Sequence, residues 1–288
     1  MGIFDNTIKN TLNFYLGKIE MLLESDAIFY YGNIHLVYAK TLRDIIEQLK
    51  AENKSNRLSL ILNTYGGSAE ASEKMVEIIR ENYNEVYFIV PDYALSAGTI
   101  LCMSGDKIFM DYSSSLGPID PQVDNGKQYV PALGYLDKVD EFIEKSREGK
   151  LTQAEFLMLQ QLDLGVLRSY EQARDLTISL LKEWLVKYKF KNWDIHRTDS
   201  SKKGKPVTIE EKENRAKEIA KLLGNNKIWH SHGRFIGIKT LRSVLKLEID
   251  DYSSNNELRM VIRTYNDIIC EYIARHGNNE FFHTRLYF

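Results

Sequence analysis

One serine in this 288-residue chain stands where a nucleophile could be placed. Ser96 lies in the stretch ALSAGTILCMSG, residues 94–105, between a predicted strand and an apolar segment of helical character. A serine at that junction lies in the positive field of a helix N-terminus, beside backbone N–H groups without a partner inside the helix. The small residues Ala94, Ala97 and Gly98 allow the tight turn of a nucleophile elbow, since A-x-S-x-G is a relaxed form of G-x-S-x-G. Serine is also a favoured helix N-cap, so a capping role stays open.

A second turn, in NTYGGSAEA, could supply hydrogen-bond donors for the same reaction. Gly66 and Gly67 follow a buried strand and precede a helix that we predict to begin at about Ser68. Two glycines there free backbone N–H groups to face a ligand at close range, although an ordinary strand-to-helix turn has the same pattern. One strand-helix-strand unit separates Gly67 from Ser96, and parallel connections bring the ends of neighbouring strands to one sheet edge. We therefore predict that one loop donates hydrogen bonds to a carbonyl that the other attacks.

A serine is a poor nucleophile at neutral pH unless a neighbouring base takes its proton. His230 and His232, in WHSHGR, lie in a polar segment that contains glycine, where an exposed loop pair is the alternative interpretation. The H-x-H pair has no evident third metal ligand, and we predict neither a metal nor another cofactor. A desolvated lysine is the competing base, and Lys138 and Lys145 lie at plausible distances along the chain. Both lysines would more commonly be solvated charges on a helix.

Composition excludes several classes of function. The net charge is −2 with both signs interspersed, which gives no surface for nucleic acid. Cys102 and Cys270 lie in apolar stretches without metal-ligand spacing, so we expect reduced core residues in a reducing compartment. No apolar stretch approaches the roughly 20 residues that span a bilayer, and the N-terminus lacks the features of a secretory signal. We therefore expect a cytoplasmic protein.

Residues 1–25 predict an amphipathic helix. Its apolar stripe consists of Ile8, Leu12, Tyr15, Ile19, Leu22 and Leu23. We expect this helix to pack on the body of the protein or on a second subunit. Contact with a membrane interface is the alternative, although the polar face is not notably basic. The stripe and the helical region after residue 135 offer more apolar surface than one core needs, which predicts a homo-oligomer.

Strands alternate with helices from residue 26 onwards. The stretches AIFYYG, LSLILN, VYFIV and KIFMD are typical of strands, with helical spacing between them. This alternation predicts an α/β fold with a mainly parallel sheet covered on both faces. We predict a catalytic core at 26–134, a helical extension at 135–190, a polar linker at 191–207 and a small C-terminal unit at 208–288.

Three stretches together, NTYGGSAEA, ALSAGTILCMSGDKIFMDYSSSLGPIDPQ and SHGRFI, resemble the serine dehydrogenase proteinase family. This family is a branch of the clan of ClpP and signal-peptide peptidase, with the ClpP/crotonase fold. The ClpP-like resemblance covers roughly residues 26–133 and extends loosely through SHGRFI. It implies a peptidase with Ser96 as the nucleophile and the backbone N–H groups of Gly67 and Ala97 as the oxyanion hole.

The chain departs from ClpP at the position of the catalytic histidine. ClpP-like chains carry it about two dozen residues after the serine, where this chain has GPIDPQ with Asp120 at the matching place. The resemblance therefore implies the order serine, aspartate, histidine, in which Asp120 orients His232 and His232 accepts the serine proton. His230 and a lysine stay open as alternative bases. A plain turn between Pro118 and Pro121 is the other interpretation of the aspartate.

The function predicted from these residues is that of a serine peptidase. It would cleave a peptide or protein substrate through an acyl-enzyme on Ser96, without ATP, because no P-loop motif is present. The alternatives are a serine-lysine dyad peptidase, an α/β-hydrolase esterase, a crotonase-like thioester enzyme in which Ser96 is not essential, and a non-catalytic scaffold.

Overall fold

The computed structural model describes residues 2–124, 129–197 and 201–288. Residue 1, residues 125–128 and residues 198–200, which belong to the predicted N-terminal helix, core and linker, lie outside the described residues. The helices are α1 (Ile3–Leu23), α2 (Ala39–Ala51), α3 (Ala69–Asn82), α4 (Ala97–Cys102), α5 (Ala132–Arg147), α6 (Gln153–Gln160), α7 (Leu164–Trp184), α8 (Ile209–Leu223), α9 (Asn226–Trp229), α10 (Ile238–Ser243) and α11 (Asn256–His276). The strands are β1 (Asp26–Tyr31), β2 (Arg57–Asn63), β3 (Glu85–Ile89), β4 (Tyr93–Ala94), β5 (Lys107–Met110), β6 (Ser115–Leu116), β7 (Gln122–Asp124), β8 (Tyr129–Pro131), β9 (Ile236–Gly237), β10 (Asp250–Asp251) and β11 (Phe281–His283).

The main sheet has the strand order β10-β5-β3-β2-β1-β11. Its neighbouring strands run parallel, except that β11 is antiparallel to β1. The α/β class with a mainly parallel sheet is therefore confirmed. At the centre, β2 is buried along nearly its whole length because its alternating side chains meet helices on both faces.

One face of the sheet carries the larger core, which we call the first core. There Leu60 and Leu62 of β2 pack with apolar side chains of α2, α3, α4, α7 and α8. Ile61 points to the other face, into a second core formed with α1 and α11. Two helical layers thus enclose the sheet, and β2 contributes to both cores.

The N-terminal helix packs on the body of the protein, as its apolar stripe predicts. Leu12, Leu16, Ile19 and Leu23 are buried in the second core, against side chains of α11 and the sheet. Because this stripe is covered within the chain, it does not provide a free surface for association. Among the described residues, no helix is both long enough and apolar enough to cross a membrane.

The prediction of a separate C-terminal unit at 208–288 is wrong. Strand β10 pairs with β5 at one edge of the main sheet, with Asp250 opposite Phe109. Strand β11 pairs with β1 at the other edge, with Phe282 opposite Tyr30. Strands of two or three residues are too short to show an alternating pattern in the sequence, so their pairing with the core could not be predicted. The C-terminal region completes the α/β sheet.

The helical extension at 135–190 consists of most of α5, then α6 and α7, with a π-helical turn at Leu185–Lys189. The second half of α7 packs against α8 and the first core through Leu180, Leu181 and Trp184. No residue of α6 is buried. The two cysteines are free, with Cys102 inside the first core.

Candidate active site

Ser96 occupies a strained turn between β4 and α4. Its φ of 51° and ψ of −118° lie where residues other than glycine are rarely found. Its side chain makes no capping hydrogen bond to the helix, so the capping role is not the one that the structure shows. The turn is held by neighbours: the Gly98 N–H donates to the Leu95 carbonyl at 2.8 Å, and the Thr99 hydroxyl donates to the Ala94 carbonyl at 2.8 Å. Such strain persists only where the surrounding structure enforces it, and it is concentrated at functional sites.

The glycine turn packs directly on the serine turn. Gly66 and Gly67 have φ values of +119° and +147°, which L side chains rarely adopt. A Cβ on Gly66 would lie 2.7 Å from the Cβ of Ser96, and one on Gly67 would lie 2.1 Å from the carbonyl oxygen of Ile34. Glycine therefore allows the close approach to the serine turn at position 66 and to Ile34 at position 67.

Two backbone N–H groups at this contact have no partner within the described ranges, those of Gly67 and Ala97. Around Gly67 the chain pairs with Ile34: the Ile34 N–H donates to the Gly66 carbonyl at 2.8 Å, and the Ser68 N–H donates to the Ile34 carbonyl at 2.9 Å. Because alternate backbone groups of an extended segment point to opposite sides, the Gly67 N–H faces away from Ile34. The Ala97 N–H belongs to the first turn of α4, where helical N–H groups lack internal partners.

The remaining candidate residues lie at one end of a small three-stranded sheet with the order β4-β6-β9. Strands β4 and β6 are parallel, and β9 is antiparallel to β6. Ser96 follows the end of β4, Asp120 follows the end of β6, and His232 precedes the start of β9. The beginning of an antiparallel strand lies beside the end of its neighbour, so all three residues reach the same edge. Thr64, just before the glycine turn, extends this edge through a parallel bridge to Ala94.

At this edge Asp120 and His232 form a carboxylate–imidazole pair. Nδ1 of His232 lies 2.9 Å from Oδ1 of Asp120. The carboxylate side chain is 1% exposed and the imidazole 24% exposed, so the ring separates a buried charge from solvent. A carboxylate on Nδ1 orients the ring and leaves Nε2 available for a proton.

No hydrogen bond joins the Ser96 hydroxyl to either imidazole among the described residues. A catalytic hydrogen bond commonly tightens only when substrate is bound. The free N–H groups of Gly67 and Ala97, within the described residues, and the Asp120–His232 pair are present without it.

Sequence reasoning missed Gln122. Its Nε2 donates to Oδ2 of Asp120 at 2.7 Å, so each carboxylate oxygen of Asp120 has its own side-chain partner. The sequence signal for this contact is the position of Gln122 in GPIDPQ, two residues after Asp120. At that spacing a side-chain amide can turn back and donate to the carboxylate.

His230 is placed differently from His232. It ends α9 with a φ of +63°, its N–H donates to the Asn226 carbonyl at 2.8 Å, and its side chain is exposed. Trp229 anchors the segment, since it is buried and its Nε1 donates to the Leu222 carbonyl at 2.7 Å. The left-handed residue reverses the chain, and the next turn carries His232 to Asp120.

The two candidate lysines lie on the solvent-facing side of α5. Lys138 Nζ lies 2.8 Å from Glu141, and Lys145 Nζ lies 2.7 Å from Glu155 and 2.9 Å from Glu141. The hydrogen bonds that Lys145 donates to Glu155 and Glu141 raise the pKa of Lys145 above its ordinary value. A lysine base needs the opposite shift, so this arrangement disfavours Lys145. Within the described part of the chain, no three His, Cys, Asp or Glu residues group as a metal site would require.

The sequence matches the family described as ClpP-like SDH-type serine proteinase over residues 19–212. This stretch contains Ser96 and Asp120 but ends before His232. An uncharacterized protein of Methanocaldococcus jannaschii is 31% identical over 110 residues, which is 38% of each chain. A second uncharacterized protein of that organism is 28% identical over 157 residues, 54% of this chain and 50% of the relative. The chain thus spans half or less of the lengths of these relatives.

Two solved structures can also be compared with the chain. A variant of the 1510-N membrane-bound stomatin-specific protease gives a TM-score of 0.46 at 14% identity, with 81% of this chain and 80% of that chain covered. A variant of ClpP1 from Listeria monocytogenes gives a TM-score of 0.34 at 16% identity, with 56% and 75% covered.

Proposed function

We propose, since the chain belongs to the ClpP-like SDH-type serine proteinase family, that it is a serine peptidase whose acyl-enzyme forms on Ser96. The observation that carries the proposal is the 2.9 Å contact between Asp120 and His232. These residues are 112 positions apart in the chain, and they meet at the sheet edge that carries the strained serine. An oriented base beside a serine is the feature that a nucleophilic hydrolase requires.

The first half-reaction forms the acyl-enzyme. Oγ of Ser96 attacks the carbonyl carbon of the scissile peptide bond while Nε2 of His232 takes the hydroxyl proton. Asp120 stabilises the imidazolium that results. The oxyanion of the tetrahedral intermediate accepts hydrogen bonds from the N–H groups of Gly67 and Ala97. The intermediate collapses as the imidazolium gives its proton to the leaving amine and the C–N bond breaks.

The second half-reaction removes the acyl group. Water attacks the ester carbonyl while His232 takes one of its protons, and the same two N–H groups stabilise the new oxyanion. Return of that proton to Oγ releases the carboxylic acid and restores Ser96. Each step is balanced by protein groups and water alone, so the proposed chemistry needs no cofactor.

The structure favours a histidine base over the serine-lysine alternative. Lys138 pairs with Glu141 of α5 and Lys145 pairs with Glu155 of α6, whereas His232 is held by a buried carboxylate. An oriented base favours a serine that attacks over a passive serine, because a hydroxyl is a weak nucleophile without one.

Labelling with a fluorophosphonate tests the proposal. We expect the wild-type protein to be modified at Ser96 and Ser96→Ala to be unmodified. His232→Ala should lower the labelling rate constant by a factor of about 10³ or more, because the nucleophile loses its base. His230→Ala, changed two residues away on the same segment, should label like the wild type. Hydrolysis of a fluorogenic peptide mixture by the wild type then separates a peptidase from an esterase.

Equal labelling of the two histidine variants would remove His232 as the base. Absence of Ser96 labelling in a folded wild-type protein would overturn the proposed function.

A further inference from the structure

Two tyrosines lie beside the candidate site without a role in its chemistry. The rings of Tyr65 and Tyr93 are 4.6 Å apart between centroids, at an interplanar angle of 34°. Tyr65 remains 66% exposed although its ring touches another ring. Burial, followed by the hydrogen bond to Tyr65, raises the pKa of Tyr93 above its ordinary value, so the Tyr93 phenol stays neutral. The pair therefore presents an uncharged aromatic surface to solvent.

The backbone under this aromatic pair is fixed from several sides. The Thr64 N–H donates to the Tyr93 carbonyl at 3.0 Å, and the Leu95 N–H donates to the Thr64 carbonyl at 2.9 Å. The next residue after Tyr65, Gly66, accepts from Ile34. The rings therefore stand on two paired segments, as binding groups on a preorganised scaffold do.

Both tyrosines are close along the chain to the reacting groups. Tyr65 is bonded to Gly66, whose α-carbon packs against the Ser96 side chain. Tyr93 begins the strand that ends just before Ser96. In an acyl-enzyme the carbonyl carbon is bonded to Oγ of Ser96, and the α-carbon that carries the substrate side chain is one bond further. Protein groups that contact that side chain must therefore lie no further from Ser96 than the side chain can extend.

We propose that Tyr65 and Tyr93 bind the side chain of the residue whose carbonyl Ser96 attacks, and that they select an aromatic or long aliphatic side chain. This inference rests on the proposed function, because it assumes an acyl group on Ser96. A flat side chain stacks on tilted rings, and a long aliphatic chain covers their faces, whereas glycine or alanine cannot reach them. A charged side chain would lose hydration against this neutral surface.

Two fluorophosphonates that differ only in the carbon substituent test the inference on the full chain. One carries an ethyl group and the other a phenylalkyl group; in both, Oγ of Ser96 bonds to phosphorus and fluoride leaves. We expect the phenylalkyl probe to label the wild type at least tenfold faster than the ethyl probe. Tyr65→Ala should reduce this ratio by about tenfold, because the phenylalkyl rate constant falls more than the ethyl rate constant, and Tyr65→Phe should preserve the ratio.

Tyr112→Ala is the matched control. Tyr112 is 68% exposed, but its ring packs on the guanidinium groups of Arg259 and Arg263. Its removal should leave the probe ratio unchanged.

The possible results separate the inference from the function on which it rests. Ser96 labelling with a ratio that Tyr65→Ala does not change would overturn the inference and leave the peptidase intact. An equal fall in the labelling rate constants of both probes in Tyr65→Ala would indicate that Tyr65 has a structural role, which also overturns the inference. Failure of both probes to label folded wild-type protein at Ser96 would overturn the proposed function and the inference together.

Discussion

Asp120 has one side-chain partner for each oxygen of its carboxylate. His232 contacts Oδ1, and the amide of Gln122 donates to Oδ2. A carboxylate rotates easily about its last bond unless both oxygens are held, and a rotated Asp120 would no longer align the imidazole. The second partner therefore helps to orient the imidazole of His232, although it has no hydrogen bond to that ring.

Gln122→Leu removes the donor to Oδ2 and keeps an apolar side chain of similar size. We expect the rate constant for fluorophosphonate labelling to fall by about tenfold, the effect of one lost hydrogen bond to a charged group. Gln160→Leu, on the exposed surface of α6, should not change it. A normal labelling rate in Gln122→Leu would show that the buried carboxylate stays aligned through His232 alone.

Gly67→Ala tests the close approach of the glycine turn to the backbone of Ile34. The added Cβ would lie 2.1 Å from the backbone oxygen of Ile34, at a φ of +147°, so the loop must move. We expect a lower melting temperature and a loss of labelling of roughly 10²-fold as an oxyanion donor is displaced. Gly134→Ala is the control, because its Cβ would meet nothing within 4 Å and α5 gains a better helix former. A Gly67→Ala protein that melts and labels like the wild type would refute the oxyanion assignment.

At the scale of secondary-structure elements, the sequence predicts those elements whose hydrophobic pattern extends over several residues. The helix α1 has an apolar stripe, and the strands β1, β2 and β3 are largely apolar runs. All four elements lie close to their predicted positions. The strands β9, β10 and β11 have two or three residues each, so no periodicity marks them. The Asp120–His232 pairing followed only from the family resemblance. Nothing in the sequence shows that β9 runs antiparallel to β6, which is what brings the two residues together.

One buried histidine joins three of these elements. His283 of β11 contacts the Tyr265 hydroxyl of α11 through Nδ1 at 2.7 Å and Asn13 of α1 through Nε2 at 3.1 Å. Burial, with a smaller effect of Lys9, lowers the pKa of His283 to about 3. The folded protein therefore keeps this ring neutral, whereas the unfolded chain protonates it at the ordinary histidine pKa of about 6.5.

This difference makes stability depend on pH. The unfolded state binds the extra proton as the pH falls below about 6.5, so stability decreases with acidity until the pH approaches the folded pKa. We expect His283 to account for a loss of about 2 kcal/mol in the free energy of unfolding between pH 7 and pH 5. Denaturant titrations at both pH values should show a smaller loss in His283→Gln, whereas exposed His35→Gln should behave like the wild type. Identical pH dependence in His283→Gln and wild type would contradict the assignment.

At the scale of the whole molecule, the helical extension carries a run of exposed apolar residues. Phe156, Leu157 and Met158 of α6 are all exposed, and Leu164 at the start of α7 is exposed as well. These residues are consecutive or close in the chain, which distinguishes them from singly scattered surface residues. Because the N-terminal stripe is buried, we expect the predicted homo-oligomer to associate through α6.

Light scattering tests this surface. We expect the wild type at micromolar concentration to exceed the mass of one 33.4 kDa chain, and Leu157→Glu with Met158→Lys to reduce the mass. This double variant should still label at Ser96 with the ethyl fluorophosphonate, because α6 lies outside the candidate site. A monomeric wild type would contradict the association, and a variant of unchanged mass would place the interface elsewhere.

The antiparallel docking of β9 on β6 has a consequence for the protein during its own synthesis. Ser96, Asp120 and the glycine turn leave the ribosome well before His232, which follows the aspartate by 112 residues. At about 5–20 residues per second, translation of that interval takes on the order of ten seconds. During that time the nascent chain carries the proposed nucleophile without the proposed base. In the proposed mechanism, hydrolysis therefore requires that the histidine segment has emerged and docked.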